Sequence, residues 1–345
     1  MSLEATPKPT VETTPDGYRL AWETGIEAVV ERLTEHRSEV SAELTVRSSR
    51  LPRPGLLHRA RLNLLSTVTR GTVSRLLEKR EPDLDWAAML EQLCFAVVER
   101  HRIGEPAIDM REYEPPPGNR WLVEPFIADD GPTVLFARGG SGKSYLALAI
   151  AISHASGTKV AGTPKAPAGP VLYLDWETNA RIFKARLRAI CTGHGIEPLP
   201  PIFYRHQVAS LAEASQAIRS EIHRLGVTLA IVDSLGYARG GEPESAEVTI
   251  RLFAAGRALG VPWLGVDHVT KADGENAEEP FGSVYTRNSA RLMWALQRAE
   301  DDEGFRVRLR ERKRNDGKRH GEAGYQIEVQ EAPDGLPIRV QFRYL

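Results

Sequence analysis

The chain has 345 residues with a formal net charge of −1, 41% hydrophobic and 26% charged residues, an ordinary globular balance that excludes wholesale disorder and fibrous architectures. Its near-neutrality carries no global nucleic-acid signature, so any DNA contact must come from local basic patches. The longest apolar runs, such as Leu146 to Ile152, fall far short of the ~20 residues a bilayer requires, and the polar, proline-dotted start is unlike a leader, so a soluble, cytoplasmic protein with no membrane contact is expected.

Residues 1–16, with Pro7, Pro9 and Pro15 among threonines and glutamates, offer little apolar surface and are expected to form a disordered tail. A small, mostly helical or α/β domain is expected over residues 17–111. It comprises a strand at Tyr18 to Ala21, a helix around Glu27 to Glu35, an alternating strand from Ala42 to Val46, and a helix with Leu57, Leu62, Leu64 and Leu65 on its apolar side. A last helix runs from Asp85, a suitable N-cap, through Arg100, with Leu90, Leu93, Cys94 and Val97 at helical spacing. Between Arg50 and Arg80, eight basic residues face the single acid Glu78. Such a run can bind phosphate, dock a partner or simply face solvent.

The segment EYEPPPGN breaks the periodicity, and a linker is placed at residues 112–120. From Trp121 on, short apolar strands alternate with helices. The strands are Thr133 to Phe136, Val171 to Leu174, Thr228 to Val232 and Trp263 to Val266; the helices start at Ser144 and Ala180 or span Leu211 to Leu225 and Ala246 to Leu259. This is the pattern of an α/β domain over residues 121–345, with a mostly parallel sheet covered on both faces. Phe305, Val307 and Leu309, then Ile338, Val340, Phe342 and Tyr344, alternate with polar residues and predict antiparallel hairpins. Cys94 and Cys191 fall in different domains and read as core thiols.

The strand Thr133 to Phe136 leads into ARGGSGKSY, residues 137–145, and then into a helix. This is the setting of a phosphate-binding loop, in which Gly139, Gly140, Ser141, Gly142, Lys143, Ser144 and Tyr145 would cradle a nucleotide. Lys143 would reach the outer phosphates, and the Ser144 hydroxyl would ligate Mg2+. Ala137 replaces the usual first glycine; at a strand end without positive φ a methyl group is tolerable, whereas Gly142 is more essential. Leu229 to Asp233 is an apolar strand ending in a second Mg2+-positioning carboxylate, and Ser234 after it leaves the water-activating acid to another strand. Glu177, after Val171 to Asp175, is the candidate general base, with Asp175 competing. His268 ends a third strand and is a candidate sensor of the terminal phosphate.

These elements, in this order over residues 120–325, resemble the RecA-like ATPase core, and within it the RepA-like and DnaB-like hexameric replicative helicases of phages and plasmids. Trp121 to Ile127, Val232 to Gly236 and Asp267 to Lys271 are similar to that group's motifs. The resemblance implies ATP and Mg2+ as ligands and Glu177 as the catalytic glutamate. It also implies that Arg312 and Arg314, in ERKRNDG, are the basic pair that reaches a neighbouring subunit's phosphate. Single-stranded DNA would be held by the loop after His268 through Lys271 and Arg287, and the small domain would face a replisome partner. The function expected is an ATP-hydrolysing, ring-forming motor on single-stranded DNA, a homohexamer acting as a DNA helicase. The alternatives are a recombinase or loader ATPase and an ATP-sensing regulatory or scaffold protein.

Overall fold

The computed structural model describes residues 6–14, 16–52, 55–104, 107–115, 120–269, 280–282, 284–301 and 304–345. They form two compact units, one up to Pro115 and the other from Pro116 on. Among the described residues, no helix is long and apolar enough to cross a membrane.

The first unit is built on a sheet, which corrects the mostly helical expectation. Strands β1 (Thr10–Thr14), β2 (Gly17–Ala21), β3 (Ile26–His36), β4 (Glu39–Ser48) and β5 (Leu56–Asn63) form an antiparallel meander in chain order. Helices α1 (Thr67–Glu78) and α2 (Trp86–Ile103) follow. The expected tail is too long as well, since Thr10 to Thr14 pairs along β2. In β3 the buried residues are Ile26, Ala28 and Val30, a period of two that neighbouring Val29 and Leu33 disguise as helical. The turn into β4 places Arg37 and Ser38 at φ of 47° and 69°, the mirror-image conformation that suits hairpin twist.

In β5 the misreading has a sharper cause. His58 pairs with Val46 but Leu56 with Arg47, so Leu57 is an extra residue in a bulge. The bulge reverses the inward parity, and Leu57 and Leu62, an odd number of residues apart, are both buried. Asp85 caps α2 as expected, accepting from the Ala88 N–H at 3.0 Å. The basic run is surface, and several of its charges are paired: Arg70 with Glu91 at 2.8 Å, Arg59 with Glu43 at 3.6 Å, Arg50 with Glu81 at 3.8 Å.

In the second unit, β6 (Trp121–Glu124), β7 (Ile127–Ala128) and β9 (Thr163–Pro164) make a small antiparallel sheet around β8 (Thr133–Ala137) and α3 (Lys143–Ser156) in the chain. Then come β10 (Val171–Asp175), α4 (Ala180–His194), β11 (Ile202–His206), α5 (Leu211–Leu225), β12 (Leu229–Asp233), α6 (Leu235–Ala238), α7 (Ala246–Ala258) and β13 (Trp263–His268). After α8 (Val284–Ser289), strands β14 (Leu292–Asp301), β15 (Gly304–Arg314), β16 (Glu322–Glu331) and β17 (Pro337–Tyr344) complete the unit.

The main sheet has nine strands in the order β11-β10-β12-β13-β8-β14-β15-β16-β17. It is parallel as far as β14 and antiparallel beyond. The hairpins expected at the end thus extend the parallel sheet itself. Alternate residues sort to two cores. Leu135, Tyr173, Ile231 and Val266 pack with α3, α4 and the inward residues of β15 to β17, while Val134, Phe136, Val232 and Trp263 pack with α5, α6 and α7. Cys94 and Cys191 are free and buried, and burial pushes their thiols up to about 12 and about 11.

Helix α4 lies so close to β17 that a Cβ added at Gly193 would stand 1.9 Å from the Val340 carbonyl oxygen. Helix propensity alone would favour Gly193→Ala by about 1 kcal/mol. Because the obstacle is backbone, the clash outweighs it, and we expect a net loss of about 1–3 kcal/mol, measurable by chemical denaturation. An unchanged or higher stability would contradict the close packing of α4 on β17.

Candidate functional site

Strand β8 ends in the middle of the sheet, and its last residue, Ala137, lies in register with His268 on β13. Ala137 therefore has ordinary strand geometry. The residues that need glycine are Gly140 and Gly142, at φ of 74° and 91°. At Gly142 space is limiting too, since an added Cβ would lie 2.7 Å from the Phe305 ring. Gly142 leads directly into α3, so the free N–H groups of the first turn face the loop.

Lys143 is 5% exposed. Its Nζ donates to the carbonyl oxygens of Ala137 at 3.0 Å and Arg138 at 2.7 Å, both in its own loop. Burial lowers its pKa, while Asp233, Glu177 and Asp267 pull in the opposite direction. The Tyr145 ring packs beneath the Arg186 guanidinium of α4 at 5.1 Å, which leaves only its backbone to the loop.

Three strands bring acids to the same edge. Asp175 and Asp233 sit side by side at the ends of β10 and β12. Burial raises the pKa of Asp233, against hydrogen bonds from the Tyr173 and Ser144 hydroxyls, the former at 2.6 Å. Asp175 is committed to the turn that follows it. It accepts from the Glu177 N–H at 2.8 Å, the Thr178 N–H at 2.9 Å and the Thr178 hydroxyl at 2.7 Å. Glu177 is half-exposed. Its Oε1 accepts from the Ser234 hydroxyl at 2.6 Å and lies 3.3 Å from His268 Nε2. The histidine, followed by Ser234 and Lys143, holds the Glu177 carboxyl below its ordinary value.

Other expected site residues are not assembled there. Arg312 and Arg314 lie near the end of β15, and Arg314 pairs with Leu292, which is also level with Thr133 at the start of β8. They are thus at the edge of the sheet opposite the phosphate loop. Arg314 does not extend outward. Its side chain is 7% exposed, its Nε donates to buried Glu311 at 2.6 Å, and its guanidinium lies over the Trp121 ring at 4.9 Å. Burial with an ion-pair partner corrects the expectation of a basic group free to enter a neighbour's site. Arg287 is half-buried in α8, and Lys271 lies outside the described residues.

Three side chains make contacts that the sequence does not assign, although Lys313 lies within ERKRNDG. Arg239, just after α6, is buried with Asp267, its Nη2 2.6 Å from Oδ2 and 3.3 Å from the Thr286 hydroxyl. Lys313 donates to the carbonyls of Arg287, Asn288 and Ala290 at the end of α8. Arg298 of β14 donates to the Gly140 carbonyl at 2.8 Å. A lone arginine in the glycine-rich stretch after Asp233 is a signal for the first, and the ERKRNDG run for the second; nothing in the spacing marks Arg298.

A phosphate loop between β8 and α3, with Asp233 two strands away across β13, defines a P-loop ATPase and fits the RecA-like core that the sequence resembles. The model of the AAA domain family matches residues 99–274, just over half of the chain, and the chain belongs to that family. None of the curated proteins compared with the chain matches it. Among solved structures, a KaiC-like protein from the hyperthermophilic archaeon Pyrococcus horikoshii OT3 aligns with 14% identity and a TM-score of 0.46, covering 66% of this chain and 100% of its own.

The Arg239–Asp267 pair lies directly beneath His268, whose N–H also donates to Asp267 at 2.9 Å. Replacing Arg239 with Met strands a buried carboxylate and should cost about 3–5 kcal/mol in urea unfolding, whereas adding Asp267→Leu should restore much of the loss. A double variant no more stable than Arg239→Met would refute a purely pairwise account.

Proposed function

We propose that this protein hydrolyses ATP with Mg2+ and couples hydrolysis to movement on single-stranded DNA, as a ring-forming motor of the helicase type. The contact of Glu177 with Ser234 and His268, at the edge that carries Lys143 and Asp233, supports the hydrolytic part most strongly. The DNA part rests on the motif resemblance of Asp267 to Lys271 and of the ERKRNDG turn.

In this reading the residues of the loop bind the triphosphate. N–H groups of Gly140 to Ser144 donate to phosphate oxygens, and the Lys143 ammonium exchanges its two carbonyls for the outer phosphates. Ser144 and Asp233 form an all-oxygen pair suited to Mg2+, which favours oxygen donors. Mg2+ would neutralise charge on the transferring phosphoryl group. Glu177 stays ionised at neutral pH and accepts the proton of the attacking water, and His268, on the same carboxylate, senses the terminal phosphate. Asp175, with its oxygens engaged by the turn, shapes the loop that presents Glu177.

Arg312 is the trans-acting group in this proposal, with Arg314 as its buried support. A second reading, an ATP-sensing regulatory protein, is favoured by the same arginine: with Arg314 locked between Glu311 and Trp121, a complete site between subunits would require Arg312 alone. The homohexamer and the replisome contact of the first unit belong to the motor reading.

Glu177→Gln should lower ATP turnover by about 10²- to 10⁴-fold with nucleotide affinity little changed. In the unmodified protein, turnover should rise when a single-stranded oligonucleotide is added, and the strands of a forked duplex should separate. Turnover indifferent to the oligonucleotide would exclude the DNA motor and leave the regulatory ATPase.

A further inference from the structure

Arg298 holds the phosphate loop by its backbone. Its Nη1 donates to the Gly140 carbonyl at 2.8 Å, its guanidinium lies over the Phe305 ring at 4.0 Å, and its Nε pairs with Glu300 at 3.0 Å. Phe305, next to Gly142, fills the space where a side chain at that position would go. Stacked on one side and paired on another, the guanidinium is pre-organised and loses little freedom in making the bond.

The effect on the loop follows from the planarity of the peptide. In a trans unit the C=O and the N–H point in opposite directions. A Gly140 carbonyl fixed toward Arg298 therefore turns the Ser141 N–H away from Arg298. Gly140, at φ of 74° and without Cβ, would otherwise tolerate several orientations of this peptide at small cost. The Ser141 hydroxyl restrains the turn from the other end, donating to the Arg138 carbonyl at 2.8 Å.

We infer that Arg298 is a positioning residue for the nucleotide phosphates, one that keeps the Gly140–Ser141 peptide in one orientation through the Gly140 carbonyl. Strand β14, with Phe305 of β15 beneath the guanidinium, thereby takes part in phosphate binding through the backbone of the loop. This deepens the ATP-binding half of the function proposed above and is independent of DNA.

The test compares the intact protein with its Arg298→Ala, Arg298→Lys, Glu300→Ala and Lys143→Ala variants, using a fluorescent ATP analogue, steady-state turnover and thermal melting. Losing a charged hydrogen bond that orients the loop should weaken the analogue about tenfold and raise KM for ATP similarly, with kcat and melting temperature little changed. Lysine should recover part of the affinity, and Glu300→Ala should weaken it in the same direction by a smaller factor. Arg298→Ala binding as tightly as the unmodified protein would overturn the inference, as would a fall in affinity that tracks a lower melting temperature and is not rescued by lysine. An unmodified protein that binds the analogue no better than Lys143→Ala would instead overturn the ATP-binding reading itself.

Discussion

Burying an ammonium group is costly unless it finds hydrogen bonds and opposite charge, and the Lys143 ammonium finds both at the carboxyl edge of the parallel sheet. Two carbonyls of its own loop accept from Nζ, and Asp233, Glu177 and Asp267 surround it from β12, the turn after β10 and the end of β13. Asp233, buried against its ionised form, is held by hydroxyl hydrogen bonds, chiefly from Tyr173. The resulting cluster is balanced but adjustable. The carbonyl bonds are the replaceable part, and a phosphate is a stronger acceptor for the same donor.

Around this charge the hydrogen bonds divide the acids by task. Asp175 and Glu177 are two residues apart, yet one has both oxygens engaged by backbone and hydroxyl donors while the other is half-exposed beside a histidine and a serine. Tyr173 secures Asp233 from inside the sheet. Below them Arg239 and Asp267 form a dry ion pair that joins the segment after α6 to the strand bearing His268 and to Thr286 of α8. One guanidinium thus ties the segment after α6 to both β13 and α8.

Much of this arrangement is legible in the amino-acid sequence. Runs such as LAIVD and VLYLD are strands because they are short, apolar throughout and flanked by helices, and their terminal acids must meet at one edge once the sheet is parallel. The first unit is less legible for specific reasons. A bulge at Leu57 breaks the alternation that marks β5, and Val29 and Leu33 give β3 a helical look. The choice between Asp175 and Glu177 depends on N–H groups of Glu177 and Thr178, which no spacing rule displays. Arg298 bonds a carbonyl 158 residues away. Arg314 matches a motif by position, but its burial depends on Trp121, which precedes the phosphate loop in the chain.

The strand order has a consequence for how the protein is made. Strand β8 is the fifth of nine across the main sheet, yet in the chain it precedes every other strand of that sheet. One neighbour, β13, emerges more than a hundred residues later, and the other, β14, after that. The glycine-rich loop therefore exists as chain long before it exists as a site. During synthesis, which releases the N-terminal parts first, β10, β11 and β12 can pair among themselves. The phosphate loop acquires its walls only when β14 and β15 close around it. Until β14 and β15 have been made, the loop lacks Arg298 and Phe305, the side chains that pack against Gly140 and Gly142.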